Sequence, residues 1–251
     1  MDDATSRLRI RFAKRGDLRL VSHHDLMRCL ERVLRRAALP VAHSQGFNPR
    51  PKLSFPLALA LGIEGRREVL ELELAEPLRP SEVLRRLCDV APPGLDFLEA
   101  IPAPGRSGRV AFVEYLFPLP DERRGPTVDA VAALLDRQTC PYVRRKPGRD
   151  VPLDLRSSVL DARVDPADGA LRLRLKIDAG VSARPEEVLD VLGLRDLMAA
   201  GTVLSRTEVV LTTESPVTST VPDHSGSPPS PPAPRDTTDP KPSVSRSGQS
   251  P

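Results

Sequence analysis

Residues 7–40, RLRIRFAKRGDLRLVSHHDLMRCLERVLRRAALP, contain a strand pattern that is followed directly by a helix pattern. The first six residues alternate arginine with a large apolar side chain, which is the two-residue period of a half-buried strand. Ser22 is placed to cap the helix, with Asp25 three residues later as in a capping box. The apolar residues of the helix form one stripe: Leu26, Leu30, Val33, Leu34 and Ala37. We therefore expect a strand and then a helix with one buried face.

The alternation of strands and helices continues beyond Pro40, which ends this helix. In the first half we expect strands at 41–43, 53–61, 69–74 and 95–101, and a helix at 80–90. In the second half we expect strands at 111–118, 142–145, 158–164, 171–177 and 203–212, and helices capped by Thr127 and starting at Pro185. The order β-α-β-β-α-β, approximately repeated, predicts an α+β fold of two ferredoxin-like units in tandem.

A joint at 102–105, Pro-Ala-Pro-Gly, and a change of composition near Ser215 divide the sequence into three regions. We expect residues 1–104 and 105–214 to form the two ferredoxin-like units. Residues 215–251 are rich in Pro, Ser, Thr and Asp, so they cannot bury enough apolar surface to offset the entropy of ordering. The sequence therefore predicts a disordered C-terminal tail.

The cysteines argue against a metal or cofactor site in this chain. There are three in 251 residues, and they lie far apart: Cys29, Cys88 and Cys140. An iron–sulfur cluster needs clustered cysteines, and the sequence also lacks the HExxH spacing of a zinc hydrolase. We therefore expect no metal ligand and no cofactor here.

The sequence also favours a cytoplasmic protein without a membrane partner. No apolar run approaches the roughly 18 residues that a membrane helix needs. The first four residues, Met-Asp-Asp-Ala, are acidic and lack the apolar segment of a signal peptide.

Charge is distributed unevenly along the chain, although the net charge is only +3. Residues 1–55 hold twelve Lys or Arg and five Asp or Glu, whereas residues 56–105 hold five basic and nine acidic residues. Such an uneven field favours an anionic partner on one face of the protein.

The first predicted helix carries a row of arginines opposite its apolar stripe. Four of them share one face: Arg28, Arg32, Arg35 and Arg36. The guanidinium group is suited to phosphate because its planar fork binds two oxygens at once. The row is therefore either a phosphate-binding or RNA-facing surface, or a solvated face that is partly paired with Glu31.

The most unusual segment is HSQGFNPRPK at residues 43–52, which combines polar donors, two prolines and two cations. Such a stiff, polar loop is more typical of a binding loop than of a simple connection. Phe47 could stack on a base or anchor the loop in the core, and we favour the core. Together with the helix, this loop is predicted to form one anion-binding site: Arg28, Arg32, Arg36, Ser44, Gln45, Asn48, Arg50 and Lys52.

Two histidines are weak candidates for acid–base chemistry, and we assign no catalytic residue. His23 stands at the start of the helix and His43 at the start of the polar loop, and neither has a carboxylate at a pairing spacing. A second basic cluster at residues 144–149 is interpreted as the tip of a hairpin.

Two of these segments, SHHDLMR at 22–28 and AHSQGFNPRPKLSF at 42–55, closely resemble the bacterial radical-SAM-linked family. This family is a domain of unknown function that occurs alone or at the C-terminus of radical SAM proteins. The resemblance covers residues 7–102 well. It is thinner beyond them, where it rests on short motifs at 154–156, 184–189 and 206–208. It implies a working relationship with a radical SAM enzyme, and that partner would carry the iron–sulfur cluster and S-adenosylmethionine.

These observations lead to three hypotheses. The first is a non-catalytic accessory module that binds RNA or another phosphate-bearing substrate beside a radical SAM enzyme. The second is a metal-independent RNA-processing or modifying enzyme that uses His23 or His43. The third is a structural protein-interaction domain that uses the acidic strand at 69–74.

Overall fold

The computed structural model describes residues 3–103, 108–178 and 181–212. The expected boundary between the two units, at 104–105, and the expected tail from Ser215 lie outside these ranges. Within them, no helix is both long enough and apolar enough to cross a membrane.

The first half contains four strands and two helices in the predicted order. They are β1 (Thr5–Lys14), α1 (His23–Arg36), β2 (Leu53–Ser54), β3 (Glu64–Leu78), α2 (Pro80–Val90) and β4 (Leu95–Pro102). A short 3₁₀ turn, Gly16–Leu20, joins β1 to α1.

The second half repeats this order with two additions, a hairpin and a short helix. Its elements are β5 (Val110–Phe117), α3 (Asp121–Asp136), β6 (Pro141–Lys146), β7 (Arg149–Asp154), β8 (Val159–Val164), β9 (Leu171–Lys176), α4 (Pro185–Val191), α5 (Arg195–Ala199) and β10 (Ser205–Leu211). The added hairpin β6–β7 forms a separate two-stranded sheet, and the added helix α5 lies between α4 and β10 in the sequence. The predicted hairpin tip at 144–149 is thereby confirmed, with Gly148 at φ +72° in the turn.

The strand order confirms the predicted α+β class and the repeat. The main sheet runs β4-β1-β3-β10-β5-β9-β8, and the short β2 pairs with β3. Each half therefore has its fourth strand beside its first and its second beside its third, which is the ferredoxin-like arrangement. The halves share one sheet because the start of β10 pairs in parallel with the start of β3.

Burial of α1 follows the predicted stripe. Four of its residues are buried against β1 and β3: Leu26, Leu30, Val33 and Leu34. Burying one such side chain contributes about 1.5–3 kcal/mol to folding, so this face determines how the helix lies on the sheet. Its N-terminus is capped as predicted, because the Ser22 hydroxyl accepts the Asp25 N–H at 3.2 Å.

Two predicted elements are wrong in extent. The strand expected at 53–61 ends at Ser54, since Pro56 cannot donate to a ladder and the chain then turns away. The third helix begins at Asp121 instead of being capped by Thr127, whose hydroxyl donates to Arg123 O within the helix at 2.6 Å. Two acidic residues in its first turn favour the earlier start.

Candidate functional site

The polar loop is inserted into the edge strand of the first unit. In an antiparallel ladder one residue normally exchanges both backbone hydrogen bonds with one partner. Here Glu73 of β3 makes its two backbone hydrogen bonds with two different residues. Its C=O accepts the Ala42 N–H at 2.9 Å, and its N–H donates to Lys52 O at 3.0 Å. Ala42 and Lys52 thus occupy one ladder position, and residues 43–51 leave the sheet between them. We call residues 43–51 the edge loop.

The edge loop is closed by its own backbone. At the base of the loop, the Lys52 N–H donates to Ala42 O at 2.7 Å, and we call this pair of residues the neck. One step further out, His43 forms an isolated β-bridge with Pro51. Ser44 N–H donates to Arg50 O at 2.8 Å, while the Ser44 hydroxyl accepts the Arg50 N–H at 3.0 Å. Ser44, predicted as a ligand donor, therefore has a structural role in bracing the loop.

The tip of the edge loop presents side chains to solvent. Gln45, Asn48 and Arg50 are exposed, and none of their side chains has a hydrogen bond or ion pair among the described residues. Phe47 is fully exposed, at 106% of its reference area. The prediction that Phe47 anchors the loop in the core is therefore wrong, because the closed neck carries the tip away from the sheet.

The outer face of α1 is basic and largely unpaired. Four arginines are exposed: Arg28, Arg32, Arg35 and Arg36. Arg28 lies 3.9 Å from Asp25, whereas the other three have no carboxylate partner in the part of the chain that the structure describes. Glu31, the expected partner, makes no ion pair there either.

The neighbouring helix α2 provides a contrast. Arg85 and Arg86 both pair with Glu82, at 2.9 Å and 2.7 Å, and Arg85 also pairs with Asp89. Hydrogen bonds from Arg85 and then Arg86 lower the pKa of Glu82 to about 2. The arginines of α2 are therefore neutralised within their own helix, and those of α1 are not.

The edge loop leaves the sheet close to the C-terminal end of α1. Only residues 37–40 separate Arg36 from Val41, where the strand expected at 41–43 is reduced to isolated bridges at Val41 and His43. Arg35 and Arg36 are thus the nearest members of the row, and Arg28 lies about 12 Å further along the helix axis. Within the described ranges, no hydrogen bond or ion pair joins the loop to these arginines.

Lys52, the last residue of the predicted site, points elsewhere. Its ammonium lies 2.8 Å from Glu73 Oε1, and its hydrogen bond lowers the pKa of that carboxyl group. Leu72 and Leu74 are buried with α1, so alternation along β3 places Glu73 on the opposite face of the sheet. Lys52 is therefore neutralised, and it lies away from the arginines.

The two candidate histidines lie at opposite ends of α1. His23 is the first helical residue and meets Phe55 edge-on at 5.2 Å between ring centroids. His43 follows the other end, with Nδ1 2.9 Å from Val41 O. A helix of 14 residues is about 21 Å long, so the two imidazoles cannot act on the same atoms. Among the described residues, no group of three or more His, Cys, Asp or Glu could hold a metal ion.

The acidic strand is engaged inside the protein. Glu71 pairs with Arg9 at 3.0 Å, and Glu73 pairs with Lys52. Glu68 forms an ion pair with Arg206 of β10 in which both side chains are almost completely buried. Sequence reasoning missed this pair because the two residues are 138 positions apart and nothing local links them.

An open cavity of about 390 Å³ lies beside the hairpin β6–β7. Three of its seven lining residues are acidic and one is basic: Tyr142, Glu186, Glu187, Asp190, Arg195, Met198 and Ala199. Glu187 already pairs with Arg144, and Asp190 accepts the Tyr142 hydroxyl at 2.9 Å. The cavity therefore does not suit an anionic ligand.

One family model matches the chain, over residues 7–189, which is nearly three quarters of its length. The description of that family is "Uncharacterized protein conserved in bacteria (DUF2344)". The matched region includes α1 and the whole edge loop. No curated protein shows a match to the chain.

Proposed function

The chain belongs to the bacterial DUF2344 family, and we propose that it is a non-catalytic accessory module that binds RNA beside a radical SAM enzyme. The surface of the chain supports the RNA part, and the partner is what the resemblance to the radical-SAM-linked family implies. The binding surface consists of the outer face of α1 and the tip of the edge loop. The iron–sulfur cluster and S-adenosylmethionine belong to the partner chain in this proposal.

The observation that carries the proposal is the set of arginines without carboxylate partners. Arg32, Arg35 and Arg36 on α1, and Arg50 on the edge loop, are exposed and unpaired among the described residues. Exposed arginines on α2 are neutralised by Glu82 and Asp89. A guanidinium group that keeps its full charge is available to bind phosphate in a bidentate manner.

The shape of the surface favours a polymer over a small phosphate compound. The row from Arg28 to Arg36 extends over about 12 Å of an exposed helix face. Small ligands are typically bound in concave pockets that bury most of their surface. An open row of cations matches a chain of successive phosphates instead.

The two alternative hypotheses have less support. An enzyme that uses His23 or His43 would depend on a single imidazole, because α1 holds the two apart. An interaction domain built on the acidic strand would need free carboxylates, but Glu68, Glu71 and Glu73 are all paired.

The RNA part is tested by fluorescence anisotropy with a labelled single-stranded RNA at several salt concentrations. We expect the double variant Arg32→Ala/Arg36→Ala to bind more weakly, with the salt slope lowered by about 0.7 for each lost phosphate contact. Arg85→Ala is the matched control, since it removes an exposed helix arginine that is already paired. Equal salt slopes for wild type and the double variant would show that the row on α1 is only a solvated face.

The partner part is tested by co-purification on the tagged full chain from bacterial cells, with and without nuclease. We expect recovery of a protein with the clustered cysteines of a radical SAM enzyme in both conditions. Recovery of RNA alone would remove the partner from the proposal and leave RNA binding in place.

A further inference from the structure

We propose that Phe47 is a stacking platform for an unpaired base, so that the RNA bound at the edge loop is single-stranded there. This inference rests on the RNA-binding function proposed above and specifies the class of RNA that the site takes.

The first step is the position of the ring. Phe47 is fully exposed, whereas Phe12, Phe97 and Phe117 are buried in the two cores. Burial of a ring of this size normally favours folding, and Phe47 contributes none of that. When a base stacks on such a ring, burial of the ring contributes to binding the free energy that it does not contribute to folding.

The second step is the rigidity of the support. The neck bond from Lys52 to Ala42, the bridge from His43 to Pro51 and the two Ser44–Arg50 bonds close the loop beneath the ring. A ring on a braced loop loses little further entropy when a ligand binds, so its contacts contribute more fully to affinity.

The third step is the chemistry around the ring. Gln45 and Asn48 carry amides that can donate to and accept from the polar edge of a base, and Arg50 can bind the adjoining phosphate. An apolar pocket on a protein would leave these polar groups without partners, which disfavours a protein contact at this tip.

The fourth step selects single-stranded RNA. In a duplex both faces of each base are covered by neighbouring bases, so a ring cannot reach them without unstacking the helix. An unpaired base presents its face, and proteins that bind single strands combine such stacking with a cationic surface.

The test compares a single-stranded RNA with a duplex of the same length, by anisotropy, on wild type, Phe47→Leu and Phe47→Trp. Stacking on one base contributes about 1–3 kcal/mol, so we expect Phe47→Leu to weaken single-strand binding roughly tenfold with an unchanged salt slope. Phe47→Trp should retain the affinity. Because the chain has no tryptophan, the indole introduced by Phe47→Trp is a unique probe, and its emission should be quenched on binding.

The results separate this inference from the function on which it rests. If wild type binds neither RNA, the proposed function fails and this inference fails with it. If wild type binds in an Arg32-dependent manner but Phe47→Leu binds equally well, or the duplex binds as tightly, the function stands and the stacking platform is wrong. Loss of a protein partner with Phe47→Leu, without loss of RNA, would make the ring a protein contact and overturn the inference.

Discussion

At the scale of single residues, the ion pair between Arg206 and Glu68 is buried in the interior of the protein. The Arg206 and Glu68 side chains are only 3% and 2% exposed, and Arg206 also donates to Ala58 O and Leu57 O. Burial by itself would lower the pKa of Arg206, but the charge and hydrogen bonds of Glu68 outweigh it and the pKa is raised. Arg206 therefore stays charged in the interior and depends on its partner.

Replacing Glu68 with glutamine should destabilise the fold strongly. We expect Glu68→Gln to lower the free energy of unfolding by about 3–5 kcal/mol, because it leaves a buried guanidinium without its counter-charge. Urea denaturation followed by circular dichroism measures this change. Glu82→Gln on α2 is the control and should lower stability far less, because its ion pairs with Arg85 and Arg86 are screened by solvent. A change of similar size in both variants would mean that water reaches the Arg206 guanidinium.

At the scale of elements, the edge loop depends on one short hydrogen-bond set. The Arg50 N–H donates to the Ser44 hydroxyl, so we expect this amide to exchange slowly in wild type. In Ser44→Ala it should exchange roughly fivefold faster, because one hydrogen bond contributes about 1 kcal/mol. Amide hydrogen exchange by NMR is the measurement. RNA affinity should fall in parallel because the loop must then be ordered on binding.

The control for that variant is Ser54→Ala in β2, which removes an exposed hydroxyl of the same size. It should leave both the Arg50 exchange rate and RNA binding unchanged. Fast exchange of the Arg50 amide already in wild type would show that the loop is not braced in solution.

The same elements show which parts of the fold were predictable. The strand–helix start was correct because period and cap are local properties that Ser22 and the residues after it display directly. The split of the edge strand was not predictable, since it depends on Glu73 bonding to two residues that are ten positions apart. Phe47 was misplaced for a related reason: its residue type favours burial, but the closed neck decides where it lies.

The candidate site shows the same division. The spacing of Arg28, Arg32 and Arg36 was sufficient to place them on one exposed face. Spacing could not show whether these arginines have carboxylate partners, because a partner can come from any element that packs nearby. The pairing of Lys52 with Glu73 likewise joins two different strands and is visible only in the tertiary structure.

At the scale of the whole molecule, the two units are joined by more than a linker. β10 pairs with β3 at Ser205 and Arg206, and Glu208 of β10 lies 3.0 Å from Arg11 and 3.2 Å from Arg67. These contacts cross from one ferredoxin-like unit to the other, and they include charges that are buried or nearly so.

We therefore expect the two units to unfold together. Urea unfolding should show a single transition with coincident midpoints by circular dichroism and by tyrosine fluorescence, which reports on Tyr115 and Tyr142 in the second unit. Two separated transitions in wild type would contradict this. In Glu68→Gln the midpoints from the two probes should move apart, because the interface is weakened more than either core.

The position of β10 has a consequence for how the protein is made. This strand lies between β3 and β5, and the ribosome produces it after every other described strand. In a nascent chain that has already folded β1 to β4, the edge of β3 must stay open, with Glu68 lacking its guanidinium partner, until β10 has been made. The pairing of β10 with β3 and β5 at the centre of the sheet is thus the last to form. A polypeptide released before β10 is made cannot form it.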